Sequence, residues 1–244
     1  MAEPIQTTFA RREVKYFVTP QQQEALKKAL APYTVPDQYG KYSICSIYYD
    51  TEDWRLIRAS IQKPEYKEKL RVRSYGVPRE TDPVFIEIKK KCQGTVYKRR
   101  IVTESCLTES ILSCLLTDTQ DGQIGREIQW FQQIYRTCPR VFIGYDREAL
   151  AGREDPEVRV TFDTNLRWRD RDLDLTLGGQ GAPILSGDQI LMEVKLPGAC
   201  PLWLARILSE NRTYPVSFSK YGTCYQRFIL PKTAKQFKEA SYIA

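Results

Sequence analysis

Apolar and polar residues alternate with period two over much of this chain, the pattern of strands with one dry face and one polar face. Thr8–Thr19 reads as a strand that stops at the Thr19-Pro20 step. Pro20 begins a helix to Ala31 with Thr19 as its cap, since proline suits the first helical position and a threonine hydroxyl satisfies a free N–H. Ile44–Asp50 is the next strand, followed by Glu68–Tyr75 and Pro83–Lys91 across a turn carrying Gly76 and Pro78. Thr95–Thr103 completes a hairpin whose turn holds Gly94. Helical spacing takes over in Thr108–Leu116 and Gly125–Thr137, where Ile128, Phe131, Ile134 and Tyr135 recur on one stripe. Strands return at Val141–Arg147, Glu157–Thr164 and Ile190–Leu196, with a glycine-rich loop, Leu177–Gly187, before the last. A short helix at Leu202–Asn211, a final strand near Ser217–Ile229 and a surface helix after Pro231 close the pattern. Many antiparallel strands with helices inserted between them predict an α+β fold whose sheet closes into a barrel. With 244 residues and no repeat, the chain reads as one domain, 1–244, with its core at about 8–230.

The polar faces are not mixed. Lys67, Lys69, Arg71 and Arg73 share a face opposite Leu70 and Val72. Glu87, Lys89 and Lys91 oppose Ile86 and Ile88; Lys98 and Arg100 share a face, as do Arg159, Thr161 and Asp163. The tripeptide Glu-x-Lys recurs on three strands, as Glu13–Lys15, Glu87–Lys89 and Glu193–Lys195. One reading is a wetted outer face, as antiparallel sheets commonly have. The other is a barrel with these residues pointing inward. Such an interior would need water, interspersed carboxylates and a bound polyanion such as triphosphate or polyphosphate, because unpaired buried charge is costly. Glutamates beside the lysines could also hold a divalent ion.

Composition narrows the chemistry. Lys and Arg total 37 against 30 Asp and Glu, a net charge of +7 that favours an anionic partner. Histidine is absent, which removes Ser-His-Asp and Cys-His nucleophile systems and every histidine metal site. The seven cysteines include no CxxC pair and read as free thiols of a reducing compartment. No uninterrupted apolar run exceeds four residues, so neither a signal peptide nor a membrane span is expected, and a cytoplasmic location is. Gly178, Gly179 and Gly181 do not form a P-loop, because no Gly-Lys-Ser/Thr follows. The run Lys89–Lys91 does not predict a nucleic-acid surface, since only alternate residues share its face.

Nine blocks then stand in one order: RREVKYFV (11–18), SIYYDT (46–51), EKLRVRSYG (68–76), FIEIKKK (85–91), VYKRR (96–100), GYDREAL (144–150), VRVTFDTNL (158–166), MEVKLPG (192–198) and FSKYG (218–222). Together they resemble the VTC domain, the polyphosphate polymerase module of the triphosphate tunnel metalloenzymes, which include the CYTH proteins. The resemblance implies an eight-stranded antiparallel β-barrel tunnel with helices around it. It implies a catalytic, phosphate-binding set of Lys15, Arg71, Arg73, Lys89, Arg147, Arg159, Lys195 and Lys220, with Lys98, Tyr145 and Ser219 also binding substrate. Glu193 matches the family's principal metal-binding glutamate, with Glu13 and Glu87 as companions for Mn²⁺ or Mg²⁺. The implied reaction moves the γ-phosphoryl group of ATP onto a growing polyphosphate, begun on pyrophosphate, and releases ADP. Phosphoryl transfer rests on positioning and charge stabilisation, which a protein without histidine can supply. The SPX domain and membrane part of eukaryotic family members are not among the blocks, so inositol-phosphate regulation and in-chain export are not expected. A separate membrane protein would then hold the chain at the inner face of a membrane. Two other functions fit the same walls: a tunnel triphosphatase, and a non-catalytic phosphate-binding module for a membrane partner.

Overall fold

The computed structural model describes residues 8–9, 12–93, 95–113 and 122–233. The predicted turn at Gly94, the end of the helix proposed to Leu116, and the tail beyond Thr233 lie outside the described residues. The strands are β1 (Thr8–Phe9), β2 (Arg12–Val18), β3 (Thr34–Asp50), β4 (Tyr66–Tyr75), β5 (Pro83–Cys92), β6 (Thr95–Glu104), β7 (Cys138–Gly152), β8 (Arg159–Arg169), β9 (Ala182–Pro183), β10 (Ile190–Leu196) and β11 (Pro215–Val216). Eight of these have seven or more residues. Helices α1 (Pro20–Leu30), α2 (Arg55–Ile61), α3 (Thr108–Leu112), α4 (Gly122–Tyr135) and α5 (Leu202–Glu210) lie between them, and α6 (Lys220–Cys224) follows β11. Thr19 caps α1 as the sequence predicts, accepting from the N–H of Gln22 while the Gln22 side chain returns the bond.

All strand pairs are antiparallel, in the order β1-β6-β5-β4-β3-β7-β8-β10-β2-β11, with β9 on β8. The described ladder is a path with two ends rather than a hydrogen-bonded ring. It nonetheless curls until its flanks face each other: Lys89 on β5 feels the charges of Glu13 and Lys15 on β2. The fold is thus the expected α+β tunnel, with eight long antiparallel strands.

Three apolar cores explain why both strand faces are covered. Leu70, Val72, Ile86 and Ile88 lie on the outer face of β4 and β5 and pack with Ile128 and Phe131 of α4. Tyr16, Val160, Met192 and Val194 pack with Leu26 of α1 and Leu204 of α5. The third core lies inside the curl, where Tyr48, Ile143, Tyr145 and Leu191 meet Tyr221, Cys224 and Tyr225.

The final strand predicted near Ser217–Ile229 is corrected here. Apart from Pro215–Val216, that stretch forms α6 and a π-helical turn, Tyr225–Ile229. Its apolar residues do not alternate but recur at helical spacing, and Tyr221, Cys224, Tyr225 and Ile229 fall on one helical stripe that fills the inner core. Helix α2, between the SIYYDT and EKLRVRSYG blocks, was not expected. Asp50, fully buried, caps it by accepting from the N–H groups of Leu56 and Ile57, and also accepts from the Tyr221 hydroxyl at 2.8 Å.

Candidate active site

Strand register gathers the predicted residues on the inner face. Residues directly opposite share a face. On one wall Arg71 faces Glu87, and Lys69, Lys89 and Lys98 stand in a single row across β4, β5 and β6. Lys67 faces Lys91 one step further along. On the other wall Glu193 faces both Lys15 and Thr161, Lys195 faces Glu13 and Arg159, and Arg147 faces Asp163. The alternative of a wetted outer face fails, because the opposite face of each strand is already packed under helices.

The two walls differ in how their charge is balanced. Arg147 holds Asp163 with two bonds, at 2.6 and 2.7 Å, and reaches Glu193 at 3.1 Å. Lys220 of α6 lies 2.7 Å from Asp163 and 2.9 Å from Glu193. Lys15 lies 3.3 Å from Glu13 and 3.7 Å from Glu193. Burial alone would raise the Glu193 carboxyl, but Lys220, Lys15 and Arg147 outweigh it and keep it ionised well below the usual range. Tyr145 is buried with its ring beneath the Lys220 ammonium at 4.4 Å and the Arg147 guanidinium at 5.1 Å, a cation–π arrangement.

The wall of β4, β5 and β6 has one inner carboxylate, Glu87, which is 1% exposed and serves Arg71 at 2.7 Å, Arg73 at 3.8 Å and Lys98. Arg71 also donates to the Tyr48 hydroxyl at 3.2 Å. Lys69 and Lys89 form no ion pair with any described residue, and nor does Lys195 on the facing wall. Burial lowers the Lys69 ammonium to about 8, with Lys89, Lys67 and Lys15 adding to the effect. Lys89 is lowered by burial and by Arg71 and Lys15, against Glu13. Lys195 falls to about 8 through burial and Arg147. Burial would raise the Tyr48 phenol, yet Arg71, Arg73 and Lys69 bring it down to about 8. Desolvated, mutually repelling cations with no ion-pair partner of their own define an anion site.

Some predicted residues occupy different local roles. Ser219 caps α6 by accepting from the Gly222 N–H at 3.2 Å, with Lys69 at 3.5 Å from its hydroxyl. Arg159 turns toward Asp37 at 3.4 Å near one mouth. Glu87 sits in its own cation cluster, apart from Glu193 and Glu13. Among the described residues no three carboxylates converge as a metal cage. Glu193 with Glu13 beside it still fits a divalent ion that takes its remaining ligands from phosphate and water, the habit of Mg²⁺. Sequence reasoning did not assign Asp163, Lys69 or Tyr48 to the site. Asp163 and Lys69 were legible as alternate positions on charged strands; Tyr48 gave no signal, because its role depends on meeting Arg71.

A curled antiparallel sheet around a cation-lined interior with a few ionised carboxylates is the architecture of a triphosphate tunnel protein. The sequence profile of the VTC domain matches residues 10–229, and the chain belongs to the VTC domain family. Over 267 aligned residues it is 23% identical to vacuolar transporter chaperone complex subunit 4 of Schizosaccharomyces pombe, an alignment covering 88% of this chain and 37% of that protein. A candidate adenylate cyclase from Bacillus halodurans shares the fold at TM-score 0.57 and 12% identity, with 92% of this chain and all of that chain covered. A candidate adenylyl cyclase from Hippeastrum with a dominant triphosphatase activity aligns at TM-score 0.48 and 15% identity, over 86% of this chain and 92% of that one. No helix among the described residues is long and apolar enough to cross a membrane.

Proposed function

We propose that this protein is a metal-dependent polyphosphate polymerase that moves the γ-phosphoryl group of ATP onto the end of a polyphosphate chain. The observation that carries the reading is the row Lys69–Lys89–Lys98, with Lys195 opposite: several half-buried ammoniums share too few carboxylates, and a phosphate chain would complete them. In the transfer, a terminal phosphate oxygen of the acceptor forms a bond to the γ-phosphorus while the β–γ bridging bond breaks and ADP departs. The attacking oxygen is already anionic, so no general base is needed, in keeping with a chain that lacks histidine. Arg71, Arg73, Lys69, Lys89 and Lys195 neutralise the equatorial oxygens, arginine through paired N–H donors and lysine as a point charge. Arg147, Lys220 and Lys15 hold Glu193 ionised and oriented. Glu193 with Glu13 would hold a divalent ion, which would supply charge neutralisation to the phosphates. The family membership and the named complex of the fission-yeast relative favour a membrane protein as partner.

³¹P NMR of the purified protein with ATP, Mn²⁺ and a pyrophosphate primer tests this directly. Growth of the mid-chain polyphosphate resonance together with ADP is the expected result. Orthophosphate as the sole product would replace the polymerase with a triphosphatase, and ATP binding without turnover would leave a binding module.

A further inference from the structure

We propose that the mouth of the tunnel between β3, β4 and β5 carries a nucleobase subsite built from Tyr39, Tyr42, Tyr75 and Phe85. This rests on the nucleotide-handling function above and assigns the part of the substrate that the cation walls leave unexplained. The four rings form a continuous chain: Tyr39 to Tyr42 at 5.9 Å between centroids, Tyr42 to Tyr75 at 5.9 Å and Tyr75 to Phe85 at 5.5 Å. Every contact is edge-on, at 75, 61 and 81°, so the rings do not stack on one another and leave faces for a planar ligand. Tyr39 and Tyr75 are 67% and 52% exposed, Tyr75 directly after the buried Arg73 and Ser74.

Register ties this cluster to the phosphate-binding face. Phe85 stands opposite Arg73, Tyr42 stands opposite Arg147, and Tyr75 follows Arg73 at the next position of the same face. The Arg100 guanidinium lies over the Phe85 ring at 4.9 Å. The Tyr42 hydroxyl feels the charge of Asp37 and, against it, those of Arg147 and Arg159. The β3 ladder is irregular between Pro36 and Lys41, where Gly40 adopts φ +61, and this break presents Tyr39 at the mouth instead of continuing the ladder. The exposed rings of this cluster thus stand beside the arginines at the mouth, whereas the rings deeper in the tunnel, Tyr48 and Tyr145, are buried. A nucleoside triphosphate has the same polarity, with a flat base at one end and charge at the other. The aromatic residues of α6 and the turn after it, Tyr221 and Tyr225, are instead buried in the inner core.

The test compares two ligands that share a phosphate chain and differ in the base. The wild-type protein and the Tyr39→Ala/Tyr75→Ala double variant are titrated calorimetrically, in Mg²⁺, with the β,γ-imido analogue of ATP and with inorganic tripolyphosphate. Both positions are exposed, and the melting temperature of the variant checks that the fold is kept. The nucleotide analogue is expected to bind the variant about 10-fold or more weakly, the scale of base–aromatic stacking, with tripolyphosphate within about twofold of wild type. Equal weakening of both ligands, or an unchanged nucleotide affinity, would overturn the subsite and leave the tunnel function standing. Failure of the wild-type protein to bind either ligand would remove that function, and the subsite with it.

Discussion

The two walls of the tunnel are built from the same residue types but solve opposite problems. On the wall of β7, β8, β10 and β2, Arg147, Lys220 and Lys15 meet Asp163, Glu193 and Glu13 charge for charge. On the wall of β4, β5 and β6, three cations share Glu87, and Lys69 and Lys89 stand beside them without an acid. Apart from Lys195, the first wall is satisfied by the protein itself. The second is completed only by a ligand. Buried pairs hold geometry, because removing one partner strands the other; unpaired buried cations weaken the fold and are useful only when an anion arrives. The comparison therefore separates residues that keep the site in shape from residues that grip the substrate, though both appear as Lys and Arg on alternate strand positions.

The sharpest way to break this comparison is to remove one charge from each wall. Arg147→Ala leaves Asp163 buried and unpaired except for Lys220, and should lower unfolding stability by about 3–5 kcal/mol in urea titration. Lys89→Met should leave stability unchanged or raise it, while weakening ATP binding by about 1.5–3 kcal/mol. A Lys89→Met protein that unfolds as readily as the Arg147 variant would show that the second wall is structural too. Glu193→Gln keeps the shape of the side chain and alters its charge. It should reduce metal-dependent turnover about 100-fold or more, with far-ultraviolet dichroism unaltered; full activity would end its metal role.

Titration sharpens the same contrast with a smaller effect. The folded Lys69 ammonium, at about 8, lies below the ordinary lysine value of 10.5. Between those two values the unfolded chain binds the extra proton, so this residue makes the fold more stable as pH rises through that window. A bound phosphate chain favours the charged lysine and reverses the preference. Triphosphate binding at pH 8.5 should therefore take up protons, read as a dependence of the calorimetric heat on the ionisation heat of the buffer, and should weaken above that pH. Lys69→Met should diminish the uptake, whereas an unchanged uptake would assign it to other groups. The smallest expected change is Ser219→Ala, which removes the α6 cap and should cost about 1 kcal/mol of stability in urea titration. A much larger loss of ATP affinity than of stability would show direct contact between its hydroxyl and phosphate.

Much of the strand pattern was readable because a strand's two faces are fixed by local geometry. Ile190–Leu196 came out with the predicted ends, and β4, β5 and β6 within two residues of them. β3 and β7 were read short: β3 loses strict alternation between Pro36 and Lys41, where its pairing with β7 is interrupted before it resumes at Thr34–Pro36. The strand expected near Ser217–Ile229 failed for a different reason. Phe218, Tyr221, Cys224, Tyr225, Phe228 and Ile229 recur at helical and not at strand spacing, and the helix carries Tyr221 and Tyr225 into the inner core.

The sequence alone determined which residues share a face, that those faces are basic with interspersed glutamates, and that histidine chemistry is excluded, since each follows from side-chain identity and a two-residue period. Only the tertiary structure decided that the basic faces point inward, which cations find a carboxylate, and which stand bare. Those outcomes depend on curling β5 against β2 and on inserting Lys220 from α6 between Asp163 and Glu193. They are contacts between residues far apart in the chain, and no local pattern encodes a distance.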